Sequence, residues 1–218
     1  MNLIEQKQAQ IEATMRLAPV IPVVVIHDLK AAVPMARALV AGGISAIEVT
    51  LRTPVALDAI RAISAEVEGA MVGVGTVLSA IDLHAARQAG ARFAVSPGFS
   101  PYLLDAAEDS ALPLLPGAAT ASEAMSLLER GYRHLKFFPA VPAGGHNLLA
   151  AWASPLPQLR FCPTGGISLS NAADFLALPN VICVGGSWLT PADKLASGDW
   201  TGIELLAREA TGLEARLG

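Results

Sequence analysis

Eight short apolar runs rich in valine and isoleucine recur along this chain at intervals of 19 to 26 residues: 20–26, 46–51, 71–77, 93–98, 112–117, 134–139, 160–167 and 181–188. Alanine- and leucine-rich stretches of helical length lie between them, among them 30–41, 54–67, 80–89, 101–108, 122–130 and 171–177. Strands alternating with helices predict βα units and a parallel sheet. The runs are nearly all apolar rather than alternating, as strands covered on both faces should be. Eight such units close naturally into a (β/α)8 TIM barrel, an α/β fold. The competing architecture is a doubly wound open sheet, but no Gly-x-Gly-x-x-Gly turn follows the first run. Gly73-Val74-Gly75 is too short for that fingerprint and falls inside the third run.

A polar, helix-favouring stretch at 3–15 predicts an extra N-terminal helix that caps the barrel bottom or packs on its side. Helix punctuation agrees with the pattern. Glycines at 42–43, 90 and 131 follow helical stretches, while Thr53-Pro54 and Ser100-Pro101 pair a capping residue with proline. No linker interrupts the series, so 1–218 reads as one domain: 1–18 the N-terminal helix, 19–190 the barrel core, 191–218 a C-terminal helical segment. With 53% hydrophobic and 16% charged residues and a net charge of −4, the chain is neither disordered nor a basic nucleic-acid binder. No run is long enough to span a membrane, and 1–16 lacks the apolar core of a signal peptide. Cys162 and Cys183 lie in apolar runs and read as reduced packing residues. A cytoplasmic protein is the expectation.

The chemistry is expected at the C-terminal ends of the strands. Lys136 stands inside the apolar run His134-Leu135-Lys136-Phe137-Phe138-Pro139, where desolvation penalises an ammonium. It needs an acidic partner, a bound anion or a chemical role. Alternation along the second run places Glu48, Thr50 and Arg52 on one face. If Glu48 points inward it meets Lys136, either as a plain ion pair or as a proton shuttle beside a nucleophilic amine. Gly73, Gly75 and Thr76 end the third run, where small residues either admit a ligand or merely fit a crowded barrel. Gly165-Gly166 and Gly185-Gly186-Ser187 end the seventh and eighth runs. Barrels frequently bind phosphate on backbone N–H groups at those two positions. His27 and Asp28 end the first run, with no further cluster of ligating residues to make a metal site.

Six motifs in order carry a resemblance: Glu48-Val49-Thr50-Leu51-Arg52-Thr53, Gly73-Val74-Gly75-Thr76-Val77, Ser96-Pro97-Gly98, Leu135-Lys136-Phe137-Phe138-Pro139-Ala140, Cys162-Pro163-Thr164-Gly165-Gly166-Ile167 and Gly185-Gly186-Ser187-Trp188-Leu189. Over residues 19–210 the chain resembles the KDPG/KHG aldolases. These are cofactor-free class I aldolases that cleave 2-keto-3-deoxy-6-phosphogluconate to pyruvate and glyceraldehyde 3-phosphate, some also acting on 4-hydroxy-2-ketoglutarate. The resemblance implies Lys136 as the Schiff-base residue and Glu48 as general acid/base. It implies Arg52 and Thr76 on the pyruvyl carboxylate, Pro97 and Phe138 as a wall, and Gly165, Gly166 and Ser187 on the phosphate. It also implies a homotrimer. Arg52 favours the phosphogluconate branch over phosphogalactonate aldolases, which lack that arginine. Val74 stands where alanine is common, a difference expected to narrow the pocket slightly. A phosphate-binding barrel isomerase or epimerase is the rival enzyme class, needing the glycine turns but no lysine on the sixth strand.

Overall fold

The computed structural model describes residues 3–213. Its strands are β1 (Val20–Val24), β2 (Ala46–Thr50), β3 (Met71–Gly75), β4 (Ala94–Val95), β5 (Leu114–Leu115), β6 (Gly117–Ala118), β7 (His134–Phe137), β8 (Arg160–Pro163) and β9 (Val184–Gly186). Its α-helices are α1 (Leu3–Met15), α2 (Ala32–Ala41), α3 (Ala56–Glu66), α4 (Ala80–Gln88), α5 (Pro101–Asp109), α6 (Ala121–Glu129), α7 (Gly145–Ala153), α8 (Ala172–Leu176), α9 (Ala192–Ser197) and α10 (Trp200–Thr211). Among the described residues no helix is long and apolar enough to cross a membrane.

All the strand pairings are parallel, as the two-sided burial of the runs requires. They form two ladders, β5-β4-β3-β2-β1-β9 and β6-β7-β8, which meet at two seams. Pro116 separates β5 from β6, so these are halves of one stave, broken where proline has no N–H to give. Its carbonyl still accepts from the Lys136 N–H at 2.9 Å. At the other seam β8 meets the β9 segment through the bridges Phe161↔Val181 and Thr164↔Gly185. One extra residue on the β9 side between those bridges makes a bulge, and Ile182 and Cys183 both reach the interior. Eight staves therefore close into the (β/α)8 barrel.

Two layers of core follow from strand alternation. Outward residues such as Ile47, Val49, Val74, Leu135 and Phe137 pack against the helices. Inward residues Ile21, Ala46, Phe93, Val95, Leu115 and Cys162 fill the lower lumen, closed from below by Ile11 and Met15 of α1. Helix α1 thus caps the bottom, and burying each of those two side chains stabilises by about 1.5–3 kcal/mol. Polar contacts hold α1 in place. Gln8 Oε1 accepts from the N–H groups of Arg133 (2.8 Å) and His134 (2.9 Å). Lys7 Nζ donates to the last-turn carbonyls of Ala107 (2.9 Å) and Glu108 (2.6 Å), a favourable place for a cation at the end of α5.

Ser100 caps α5 as its sequence suggests, accepting from the Leu103 N–H at 3.2 Å. Thr53-Pro54 does not open a helix. Helix α3 starts at Ala56, and the Thr53 hydroxyl donates instead to the Ile26 carbonyl at 2.6 Å, tying the end of β1 to the loop after β2.

The barrel floor carries a pH-sensitive group. His134 is buried with Nδ1 3.2 Å from Gln8 Oε1 and Nε2 3.6 Å from Glu12 Oε2. Burial pushes its pKa down to about 4; the Glu12 carboxylate opposes this, while Arg16, Arg160 and Arg133 reinforce it. The unfolded chain therefore takes up a proton that the folded chain resists. The stability contributed by neutral His134 is complete above pH 6.5 and is lost as pH falls towards 4. The expected loss over that window is on the order of 3 kcal/mol. Urea unfolding of wild type and His134→Gln at pH 6.5 and pH 4.5 checks it: the variant should show the shallower dependence.

Candidate active site

Above the apolar floor, the next inward residue of β2 is Glu48 and that of β7 is Lys136. Lys136 Nζ donates to Glu48 Oε1 at 3.3 Å, with the two side chains only 6% and 4% exposed. The pair spans the lumen from strands far apart in sequence, and the ring of Phe138 lies with its centroid 5.3 Å from Nζ. A buried ammonium without its carboxylate is expensive, so each group fixes the other's position.

At the rim a second polar pair forms. Arg52 Nε donates to Thr76 Oγ1 at 3.4 Å. Thr76 holds φ +62°, a left-handed conformation that a β-branched residue adopts only at a cost of about 1–3 kcal/mol. Thr50, between Glu48 and Arg52, is buried and donates to the Val24 carbonyl at 2.8 Å. It steadies the end of β2 against β1, a role that alternation alone did not reveal.

The glycines of β3 admit protein atoms. A Cβ at Gly73 would run into the Phe93 ring, and one at Gly75 into the Glu48 carboxylate. Val74 between them faces the helices, so the expected narrowing of the pocket does not occur.

Pro97 is half-buried at the end of β4, packed so closely that a Cβ at Gly117 would strike its carbonyl. Gly165 (φ +101°) and Gly166 (φ +77°) form the left-handed turn after β8. The Val141 N–H donates to the Gly165 carbonyl at 3.0 Å, and a Cβ at Gly166 would lie 2.8 Å from Val141 Cβ. The turn is therefore moulded against residues 139–141 as well as open to solvent. Ser187 follows β9 and is exposed. It borders a largely apolar cavity of about 530 Å³ between the ends of β1 and β9, shared with Val23, His27, Asp28, Thr190 and Leu195. The Asp28 carboxylate accepts from the Lys30 N–H at 3.0 Å, capping the short turn before α2.

A lumen lysine thus meets a lumen carboxylate near one glycine turn, the one after β8. Gly185 and Gly186, expected to make a second turn, lie instead within β9, paired with Ile21 and Pro22 of β1. Residues 11–206 match the family model "KDPG and KHG aldolase". The chain belongs to the KDPG/KHG aldolase family. A KHG/KDPG aldolase of Escherichia coli K12 is 54% identical over 199 residues, covering 91% of this chain and 93% of that protein. Among solved structures, the 2-keto-3-deoxy-6-phosphogluconate aldolase of Zymomonas mobilis ZM4 with 3-phosphoglycerate superposes with a TM-score of 0.91 at 48% identity, covering 95% of this chain and 98% of that one. The KDPG aldolase of Legionella pneumophila, with pyruvate captured as a covalent carbinolamine intermediate, gives 0.90 at 46% identity over 92% and 98% of the two chains.

Proposed function

We propose that this chain cleaves 2-keto-3-deoxy-6-phosphogluconate to pyruvate and glyceraldehyde 3-phosphate through a Schiff base on Lys136, with 4-hydroxy-2-ketoglutarate as a second substrate. The observation that carries the reading is the Lys136–Glu48 contact at 3.3 Å in the lumen. Glu48 takes a proton from the ammonium, the neutral amine attacks the substrate's keto carbon, and a proton passes from the attacking nitrogen to the keto oxygen to give the neutral carbinolamine. Glu48 then returns the proton to the carbinolamine hydroxyl, which leaves as water. The resulting iminium is the electron sink. Glu48, again a carboxylate, removes the proton of the C4 hydroxyl; the C3–C4 bond breaks to release the aldehyde, and its electrons form the enamine. The protonated Glu48 delivers that proton to C3, and water hydrolyses the imine to free pyruvate and Lys136.

Arg52 and Thr76, already paired at the rim, offer a guanidinium and a hydroxyl to the pyruvyl carboxylate. Pro97 and Phe138 flank the imine. The turn at Gly165 and Gly166 and the Ser187 hydroxyl take the phosphate. The whole chain is read as a single domain acting in the cytoplasm, with Cys162 and Cys183 as buried free thiols. It is read as a homotrimer: Leu78, Ile81 (79% exposed) and Tyr102 (86% exposed), around the N-termini of α4 and α5, form an apolar surface suited to a second copy.

Borohydride reduction in the presence of pyruvate tests the assignment. A covalent adduct on the peptide containing Lys136, together with release of pyruvate from the phosphorylated substrate, is the expected result. No adduct and no cleavage would sink it. For the phosphate, Ser187→Ala is cleaner than a glycine substitution, because Gly166 is also required by its φ and by Val141. Loss of one hydrogen bond to a charged group is worth about 1.5–3 kcal/mol, or roughly a 10- to 100-fold rise in KM for the phosphorylated substrate. KM for 4-hydroxy-2-ketoglutarate should stay unchanged.

A further inference from the structure

We propose that Gly75 is a positioning residue for Glu48: the side chain missing at 75 is the recess that holds the Glu48 carboxylate. The inference rests on the aldolase reading above. Strands β2 and β3 are neighbours whose register sets Glu48 beside Gly73 and Thr50 beside Gly75, all on the lumen side. Glu48 leans along its strand onto the diagonal neighbour, as long side chains on adjacent strands do. A Cβ at Gly75 would lie 2.6 Å from Glu48 Cγ and 2.7 Å from Cδ, and closer still to Oε1. The overlap thus involves the stem of the side chain as well as its tip, so a small rotation of the carboxylate does not relieve it.

Backbone conformation does not explain the glycine. The positive-φ glycines include Gly165 and Gly166 but not Gly75, so alanine meets no backbone strain there. Nor is Gly75 left free for substrate, since Glu48 already fills the space. Gly73, two residues earlier on the same face, supplies the contrast. Its vacant volume holds the Phe93 ring, a member of the apolar floor. Two glycines in one strand thus serve different purposes, Gly73 packing and Gly75 the chemistry. With a methyl group at 75, Glu48 must leave its place opposite Lys136, and a displacement of about 1 Å is enough to cost a proton transfer up to a hundredfold.

The test compares Gly75→Ala with wild type in three measurements: thermal unfolding, borohydride trapping of pyruvate, and exchange of the pyruvate methyl protons with solvent by NMR. The expected result is a folded variant that is still labelled on Lys136 after long incubation, with exchange slowed about ten- to a hundredfold. The same substitution in a Glu48→Gln background should slow exchange by less than about threefold, because effects exerted through one group do not multiply. Gly73→Ala should lower the melting temperature without that selective loss of exchange. Wild-type exchange in folded Gly75→Ala, or equal factors in both backgrounds, would overturn the proposal. If Gly75→Ala does not fold, pairing it with Glu48→Ala decides: alanine lacks the Cγ and carboxylate that the methyl group would meet, so the double variant should fold as Glu48→Ala alone does, and failure to do so also overturns it. Failure of the aldolase reading looks different, since wild type itself would then neither label nor exchange.

Discussion

Lys136→Met yields a folded protein that forms no borohydride-stable adduct with pyruvate and retains no measurable cleavage. The chain has four lysines, and their surroundings separate them. Lys7 lies under the barrel against the carbonyls of Ala107 and Glu108. Lys30 is exposed on the turn before α2. Lys194 pairs with Asp199 at 2.5 Å beside α10, and that carboxylate holds its pKa above the usual lysine value. Lys136 is the lysine inside the barrel, with a carboxylate to take its proton and a phenyl ring beside it. Methionine keeps most of its length and apolar bulk while removing the nucleophile. Losing the nucleophile removes the covalent route, so turnover should fall by at least about 10⁴-fold. Stability should fall by no more than the roughly 3–5 kcal/mol typical of a broken buried pair. Labelling that persists on the variant, or that maps to Lys30 or Lys194, assigns the imine elsewhere.

The barrel was legible because strands buried on both faces leave eight apolar runs that helices separate at regular spacing. The Lys136–Glu48 encounter was legible for a related reason. An isolated charge in an apolar strand needs a partner, and alternation brings only certain residues into the lumen. What stayed hidden depends on volume and on contacts made at long range. Leu115-Pro116-Gly117 reads as the end of a strand, yet the stave resumes at β6 because the Pro116 carbonyl still pairs with Lys136. Helix α7 begins at Gly145, so the two glycines at 144–145 mask it as a loop. No local pattern says that the space above Gly73 belongs to Phe93 and that above Gly75 to Glu48. Nor does any mark Thr76 as left-handed, since threonine is a poor signal for that conformation. The floor contact of Gln8 with the backbone at 133–134 joins segments 125 and 126 residues apart.

Glu48→Gln separates a proton shuttle from a structural ion-pair partner. Glutamine preserves the shape of the side chain, and its carbonyl oxygen can still accept from Lys136 Nζ where Oε1 now does, at 3.3 Å. It cannot carry a proton between the carbinolamine, the C4 hydroxyl and the enamine. General acid–base catalysis is typically worth about 10²–10⁴-fold, or roughly 3–5 kcal/mol of barrier. A shuttle therefore loses that factor in turnover and in methyl-proton exchange, with only a modest change in melting temperature. A structural partner behaves in the opposite way. Without its negative charge the ammonium is left buried and uncompensated, which costs about 3–5 kcal/mol of stability, while the molecules that remain folded turn over normally. The geometry favours the first outcome, because Glu48 is the acidic group within reach of Lys136 Nζ and the space it occupies is kept open by a glycine. Thermal unfolding and proton exchange measured on one preparation of the variant distinguish the two. A destabilised protein with near-wild-type exchange would remove Glu48 from the proton path and leave the pair as a structural clamp.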